Sequence, residues 1–249
     1  MKKTFVFVLM AATLGFTSCS NGDDVLDENT QQGMVLRATV EQPAEARAEI
    51  TDDGGKTWKF AFTDGDKVSV TNTKVTDYYE FTNNDGTNFK SDKAKVTEGD
   101  ATWYAYFPSE SIDLTNQSGT RDGVANKYAL AGATGDPTTG AGGLEIDMSP
   151  QVAILMINSQ MDLIKISVET EEGKWVKGLT AASNNASFTL DTVDNTVEAK
   201  PTLLDKSGKD TYYIAVPAGV IFSIYNGGSL VKKTNKKLVA GMYYKLDIK

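Results

Sequence analysis

Residues 238–248 read Leu-Val-Ala-Gly-Met-Tyr-Tyr-Lys-Leu-Asp-Ile, with apolar side chains at every second position. Leu238, Ala240, Met242, Tyr244, Leu246 and Ile248 fall on one face; Val239, Gly241, Tyr243, Lys245 and Asp247 fall on the other. A period of two marks a half-buried β-strand, because successive side chains point to opposite faces of a sheet. The same period recurs upstream. Met34, Leu36, Ala38 and Val40 alternate with Val35, Arg37 and Thr39, and Trp58, Phe60 and Phe62 with Lys59 and Ala61. Val68 and Val70 follow the same rule, as do Ile164, Ile166 and Val168, Tyr212, Ile214 and Val216, and Val220, Phe222 and Ile224. Trp103–Phe107 ends at Pro108, and the apolar run Val152–Ile157 predicts a strand buried on both faces.

Turn chemistry agrees with this reading. Asn84-Asp85-Gly86 and Asn226-Gly227 offer the positive φ that tight hairpins require. No helical stripe with caps stands out. Gly135–Gly143 reads as a loop between two stretches of different character, so the spacing predicts two all-β sandwiches of about 100 residues each. The expected division is 34–145 for the first sandwich and 146–249 for the second.

Ahead of these lie two segments of another kind. Lys2-Lys3, the apolar stretch Phe5–Phe16 and the small pair Thr17-Ser18 form a secretory leader over 1–18, too short for a membrane span. Cys19 follows at once, which resembles a lipobox, where the thiol is acylated and the peptide cleaved just before it. Phe16 departs from the aliphatic residue usual in that motif. Residues 19–33 are polar and acidic and read as a flexible tether. Asp23-Asp24 resembles the acidic export signal of Bacteroidetes surface lipoproteins.

Composition then narrows the chemistry. Cys19 is the only cysteine and histidine is absent, so a mature chain has neither a triad-type nucleophile and base nor the common zinc ligands. Enzymatic function is disfavoured, and no cofactor or metal is expected. The net charge of −8, with no basic patch interleaved with aromatics, argues against nucleic acid. Membrane attachment is expected through the lipid instead.

Sharper readings have plain rivals. Asp64-Gly65-Asp66 could hold a hard cation but is read as a turn. Asp191-Thr192-Val193 resembles a Bacteroidetes O-glycosylation sequon with Thr192 as acceptor. Trp58, Trp103, Trp175 and the pairs Tyr78-Tyr79, Tyr212-Tyr213 and Tyr243-Tyr244 could stack on sugars, or could be ordinary strand aromatics. Glu169–Glu172 reads as a solvated hairpin rather than an acid/base pair.

Taken in order, several of these stretches resemble the fimbrillins, pilus subunits among Bacteroidetes surface lipoproteins. They are Met34–Val40 with an arginine loop behind it, Trp58 followed by Thr63-Asp-Gly-Asp-Lys-Val-Ser-Val70, Trp103-Tyr-Ala-Tyr-Phe-Pro108, Ala153–Ile157 with Ile164–Val168, Tyr212-Tyr-Ile-Ala-Val-Pro-Ala-Gly219 and Ala240-Gly-Met-Tyr-Tyr-Lys-Leu246. The resemblance implies two tandem transthyretin-like β-sandwich domains and a lipid-anchored protein of the outer membrane, displayed on the cell surface or in a fimbria. It also implies maturation by an Arg-specific protease that frees the first strand, here Met34, Leu36, Ala38 and Val40, so that a neighbouring subunit's strand takes its place. Of the three arginines, Arg37, Arg47 and Arg121, the loop residue Arg47 is then the cleavage candidate. The plain rival is a permanent strand with an exposed loop arginine. Leu238–Ile248 is either the donor strand or the last core strand; as core it would leave nothing to donate and imply a minor or tip subunit. Partners would be other fimbrial subunits and a host or bacterial surface ligand. The alternative function is a surface glycan-binding lipoprotein of a polysaccharide-uptake system, which would need three or more aromatics on one exposed platform.

Overall fold

The computed structural model describes residues 34–40, 60–75, 77–85, 88–93, 101–135, 143–195, 200–234 and 236–249. In chain order the strands are β1 (Met34–Val40), β2 (Lys67–Asn72), β3 (Tyr79–Asn83), β4 (Asn88–Ser91), β5 (Trp103–Phe107) and β6 (Ser111–Asp113). After a five-residue helix α1 (Arg121–Ala125) come β7 (Leu130–Thr134), β8 (Gly143–Pro150), β9 (Val152–Ser159), β10 (Leu163–Glu169) and β11 (Trp175–Ala181). The remainder are β12 (Phe188–Val193), β13 (Leu204–Ser207), β14 (Thr211–Pro217), β15 (Ile221–Asn226), β16 (Ser229–Lys233) and β17 (Tyr243–Ile248). The all-β class read from the alternation is therefore the observed one.

Seven strands close into a barrel in the order β1-β4-β3-β2-β5-β7-β8. Every neighbouring pair is antiparallel except β1 and β8, which run parallel and close the ring. The expected sandwich is thus hydrogen-bonded all the way round. An odd number of strands cannot alternate direction around a closed ring, so one parallel contact is unavoidable. Gly132 allows β7 and β8 to approach: a Cβ there would lie 2.3 Å from the Asp147 carbonyl oxygen and 2.6 Å from Ile146.

The rest of the chain forms a seven-stranded sheet, β12-β11-β10-β15-β16 with β13 beside β10 and β6 beside β11, and a three-stranded sheet β14-β9-β17. Strand β9 is central, flanked by β14 and parallel β17, which explains the unbroken apolar run at Val152–Ile157. Strand β8 passes through the expected division at 145/146, and the chain leaves the barrel at Gln151 instead. Strand β6, inside the stretch expected to belong to the first sandwich, pairs with β11.

The C-terminal alternation does not form a strand along its whole length. Gly241 adopts φ +75° and the Met242 amide donates to the Val239 carbonyl at 3.2 Å, so 239–242 is a turn and the strand begins at Tyr243. Leu238 and Ile248 are buried, Tyr244 and Leu246 pack at the core margin, and Ala240 and Met242 are half-buried. A glycine at the wrong point in an alternating pattern permits the reversal that alternation alone cannot register.

One apolar cluster runs through barrel and sheets. It takes in Leu36, Phe81, Phe89, Trp103, Leu144 and Ile146 on the barrel side, and Leu155, Ile166, Ile214 and Ile224 beyond it. Strand β5 is buried on both faces. Trp103, Ala105 and Phe107 belong to this cluster, while Tyr104 and Tyr106 face away from it and pack with Phe188 and Ala186 near the β11–β12 turn. The Tyr106 hydroxyl donates to the Ala182 carbonyl (2.5 Å) and lies 2.8 Å from that of Asn185, fixing that turn against the barrel. Buried Gln117 does similar work on β14: its Nε2 donates to the Ala215 carbonyl and its Oε1 accepts from the Ala215 amide, both at 2.8 Å.

Two outcomes test this packing. Gly132→Ala should destabilise the fold by about 1–3 kcal/mol through overpacking at β8, read from the urea midpoint. Burial holds the Tyr106 and Tyr128 hydroxyls neutral well above their ordinary value of 10.0. Their folded pKa values lie above the unfolded ones, so their contribution is complete below about pH 10 and is lost as the pH climbs through the folded values. Chemical denaturation should show stability level up to about pH 10 and declining above it, with a shallower decline in Tyr106→Phe.

Candidate functional site

Strand β1 occupies a slot in the barrel wall. It pairs antiparallel with β4 through four register positions and parallel with β8 through six. Its inward side chains Met34, Leu36 and Ala38 are buried, while Val40 is partly buried against the same cluster. Leu36 stands between Phe89 of β4 and Leu144 of β8, and Ala38 lies beside Ile146. Large, large and small is therefore the shape sequence of the inner face.

The outward face is held more lightly. Arg37 bridges both neighbours: its Nε donates to Asn88 Oδ1 at 3.3 Å and its Nη1 reaches Glu145 Oε1 at 3.5 Å. Thr39 hydrogen-bonds Asp147 across β8. The Arg37–Glu145 pair is mostly solvent-exposed, at 66% and 61%, so it contributes about 0–1 kcal/mol. Buried Met34 and Leu36, at roughly 1.5–3 kcal/mol each, outweigh it.

Removing β1 from the ring leaves β4-β3-β2-β5-β7-β8, an uninterrupted antiparallel run with two open edges. Those edges, β4 and β8, are antiparallel to each other. Any strand entering the gap must run parallel to one and antiparallel to the other, as β1 does. Backbone polarity accordingly accepts either direction, and the choice falls to side-chain volume along the slot. An empty slot would expose apolar Phe89, Leu144, Ile146 and Met148 together with two rows of unpaired amides and carbonyls, a strong template for strand addition.

The other candidate residues are scattered. Cys19, the leader, the tether, Arg47 and Trp58 lie outside the described residues. Arg37 is held within a strand paired on both flanks, and Arg121 begins α1 with one guanidinium nitrogen buried. Neither offers the extended unpaired backbone a protease needs. Thr192 sits on β12, half-buried opposite Val176. The terminal strand β17 is paired with β9 through six register positions and buries Ile248, so it is built into a sheet.

The acidic stretches are structural. Gly65 turns at φ +87° while Asp66 Oδ2 accepts from the Thr63 amide at 2.7 Å. Glu169 is buried and paired with Lys233, and Glu171 pairs with Lys237 at 2.7 Å; both precede Gly173, whose φ of +81° completes the hairpin turn. Among the described aromatics Trp103 is wholly buried, and Trp175 and Tyr225 clamp the Lys200 ammonium at 4.0 and 4.4 Å from their ring centres. Their faces are thus already occupied by a cation.

No family model and no curated protein matches the chain. Among solved structures it is similar to a candidate cell adhesion protein of Bacteroides ovatus ATCC 8483, with a TM-score of 0.54 and 11% identity over 87% of this chain and 91% of that one. At that identity the likeness is one of fold. A candidate cell adhesion protein of Bacteroides uniformis ATCC 8492 gives a TM-score of 0.47 and 13% identity over 88% and 92% of the two chains. A fimbrial protein of Bacteroides ovatus ATCC 8483 gives 0.39 and 14%, covering 88% of this chain and 51% of that one.

The two faces of β1 should respond differently to truncation. Leu36→Ala should cost about 2–5 kcal/mol, and Arg37→Ala no more than about 1 kcal/mol. Equilibrium urea unfolding of both variants checks the contrast.

Proposed function

We propose that this protein is a fimbrillin-type subunit of a cell-surface fimbria, with a structural and adhesive role. The observation that carries the reading is the β1 slot: a single N-terminal strand completes a barrel whose remaining strands form one continuous antiparallel run. The fold likeness to a candidate cell adhesion protein supports the same class.

In this reading the chain is acylated at Cys19 and held at the outer membrane. A protease cuts after Arg47, β1 departs, and a strand from a neighbouring subunit restores the lost pairing. Two features support the choice of Arg47. Arg37 and Arg121 are protected by regular structure, and a cut beyond Val40 severs β1 from the barrel without touching another described strand. The new strand regains several kcal/mol of apolar burial, along with hydrogen bonds whose absence costs about 1–3 kcal/mol for each buried group.

Strand β17 is engaged with β9, so the subunit is better suited to accept a strand than to give one. This favours a minor or tip position over a stalk position. No catalytic role is assigned: the buried carboxylate Glu169 is neutralised by Lys233 rather than aimed at a second acid.

Limited digestion of lipid-free protein with an Arg-specific protease tests the proposal. A single early cut after Arg47 is expected, followed by incorporation of added donor strand or assembly into oligomers on size-exclusion chromatography. Arg47→Ala should remain uncut and monomeric. A clipped protein that keeps β1 bound and takes up no strand would rule out the exchange mechanism.

A further inference from the structure

The seven-stranded sheet ends in two edges of opposite charge. At one edge β16 pairs only with β15, and at the other β12 pairs only with β11, among the described strands. Residues 229–237 read Ser-Leu-Val-Lys-Lys-Thr-Asn-Lys-Lys, with four cations and no acid. Residues 188–198 read Phe-Thr-Leu-Asp-Thr-Val-Asp-Asn-Thr-Val-Glu, with three acids and no cation. The whole chain carries a net charge of −8, so the basic edge runs against the general charge.

Strand β16 is open to solvent. All five of its residues are exposed, and Leu230 (56%) and Val231 (47%) are among the few large apolar side chains that the described residues leave exposed. Another, Leu163, borders the same hairpin at Gly227. The backbone groups on the far side of β16 have no strand to pair with, and an exposed apolar edge of this kind is a template for another strand. Lys233 is engaged by buried Glu169 and Lys237 by Glu171. Lys232 and Lys236 are exposed and, among the described residues, have no ion-pair partner, as is true of Asp194 beyond β12.

The registers put the two edges in step. Lys233 lies opposite Ser223, and Ser223 opposite Ser167 of β10. In the other direction Glu169 of β10 lies opposite Trp175, and Trp175 opposite Val193. Strands β12 and β16 are each two antiparallel steps from β10, so all three run the same way. Asp191 is two residues before Val193, as Ser167 is two before Glu169. Asp191 and Lys233 therefore share one level and one face of the sheet, at its opposite edges. A second copy displaced sideways along the sheet sets its β12 parallel to β16, with its Asp191 level with Lys233.

Charge selects among the possible pairings. Two β16 edges brought together set lysines against lysines, and two β12 edges set acids against acids; both are repelled. The unlike pair instead adds Asp191 to the row that Glu169 and Lys233 already form. It also leaves one free edge on each copy, so it repeats head to tail rather than stopping at a pair.

We infer that the β16 edge docks the β12 edge of a second copy of this chain, joining the two sheets into one. The contact uses no strand of the β1 slot and does not depend on strand exchange. One strand pair is small beside the roughly 1,200–2,000 Å² buried in stable complexes, so the association is weak and shows in concentrated protein.

The test is sedimentation equilibrium of lipid-free protein carrying Arg47→Ala, so that cleavage there cannot contribute, from micromolar to millimolar concentration. Dilute protein should be monomeric, and the average mass should rise reversibly with concentration past that of a dimer. Lys232→Glu with Lys236→Glu should weaken the association about tenfold, because repelled pairs replace attracted ones, and Asp191→Lys with Asp194→Lys should do the same. Mixing these two variants, or placing all four substitutions in one chain, should restore it, since acidic and basic edges again face one another. Circular dichroism and the urea midpoint check that each variant keeps the fold. A monomer at every concentration overturns the inference and leaves the lysines as guards against pairing. A mass that stops at a dimer, or association unmoved by both charge reversals, overturns it as well.

Discussion

The parallel contact between β1 and β8 is the constraint on which the rest of the barrel depends. Seven strands cannot close a ring in strict alternation, so the closing strand must be parallel to one neighbour. That strand is also the first in the described order, and only its paired edges and the inner faces of three buried side chains hold it firmly. With β1 in place the wall is continuous and its apolar interior is sealed. With β1 gone, the six others remain one antiparallel run, and the same interior becomes an open slot.

Several contacts that join the barrel to the sheets lie away from β1. Tyr106 on β5 clamps the β11–β12 turn, β6 adds to β11, and Gln117 pairs with the backbone of β14. None of these contacts involves β1. In the proposed exchange, loss of β1 would leave these contacts in place.

In the proposed exchange, donor choice would be a matter of side-chain volume. The edges β4 and β8 run in opposite senses and accept either strand direction, which leaves discrimination to the two large pockets at Met34 and Leu36 followed by a small one at Ala38. A pocket fitted to alanine beside Ile146 excludes a large side chain at that point as firmly as the Leu36 pocket favours one.

Apolar patterning by itself determined the all-β class, eight of the seventeen described strands, the inward faces of β1 and β10, and the buried character of Val152–Ile157. Those are local properties, written in side-chain period and turn residues. Strand pairing was not legible, because hydrogen bonds between β1 and β8 join residues about a hundred positions apart and carry no mark in either segment. The membership of β6 in the second sheet and the break at Gly241 were hidden for a related reason: each depends on which backbone groups find partners after packing.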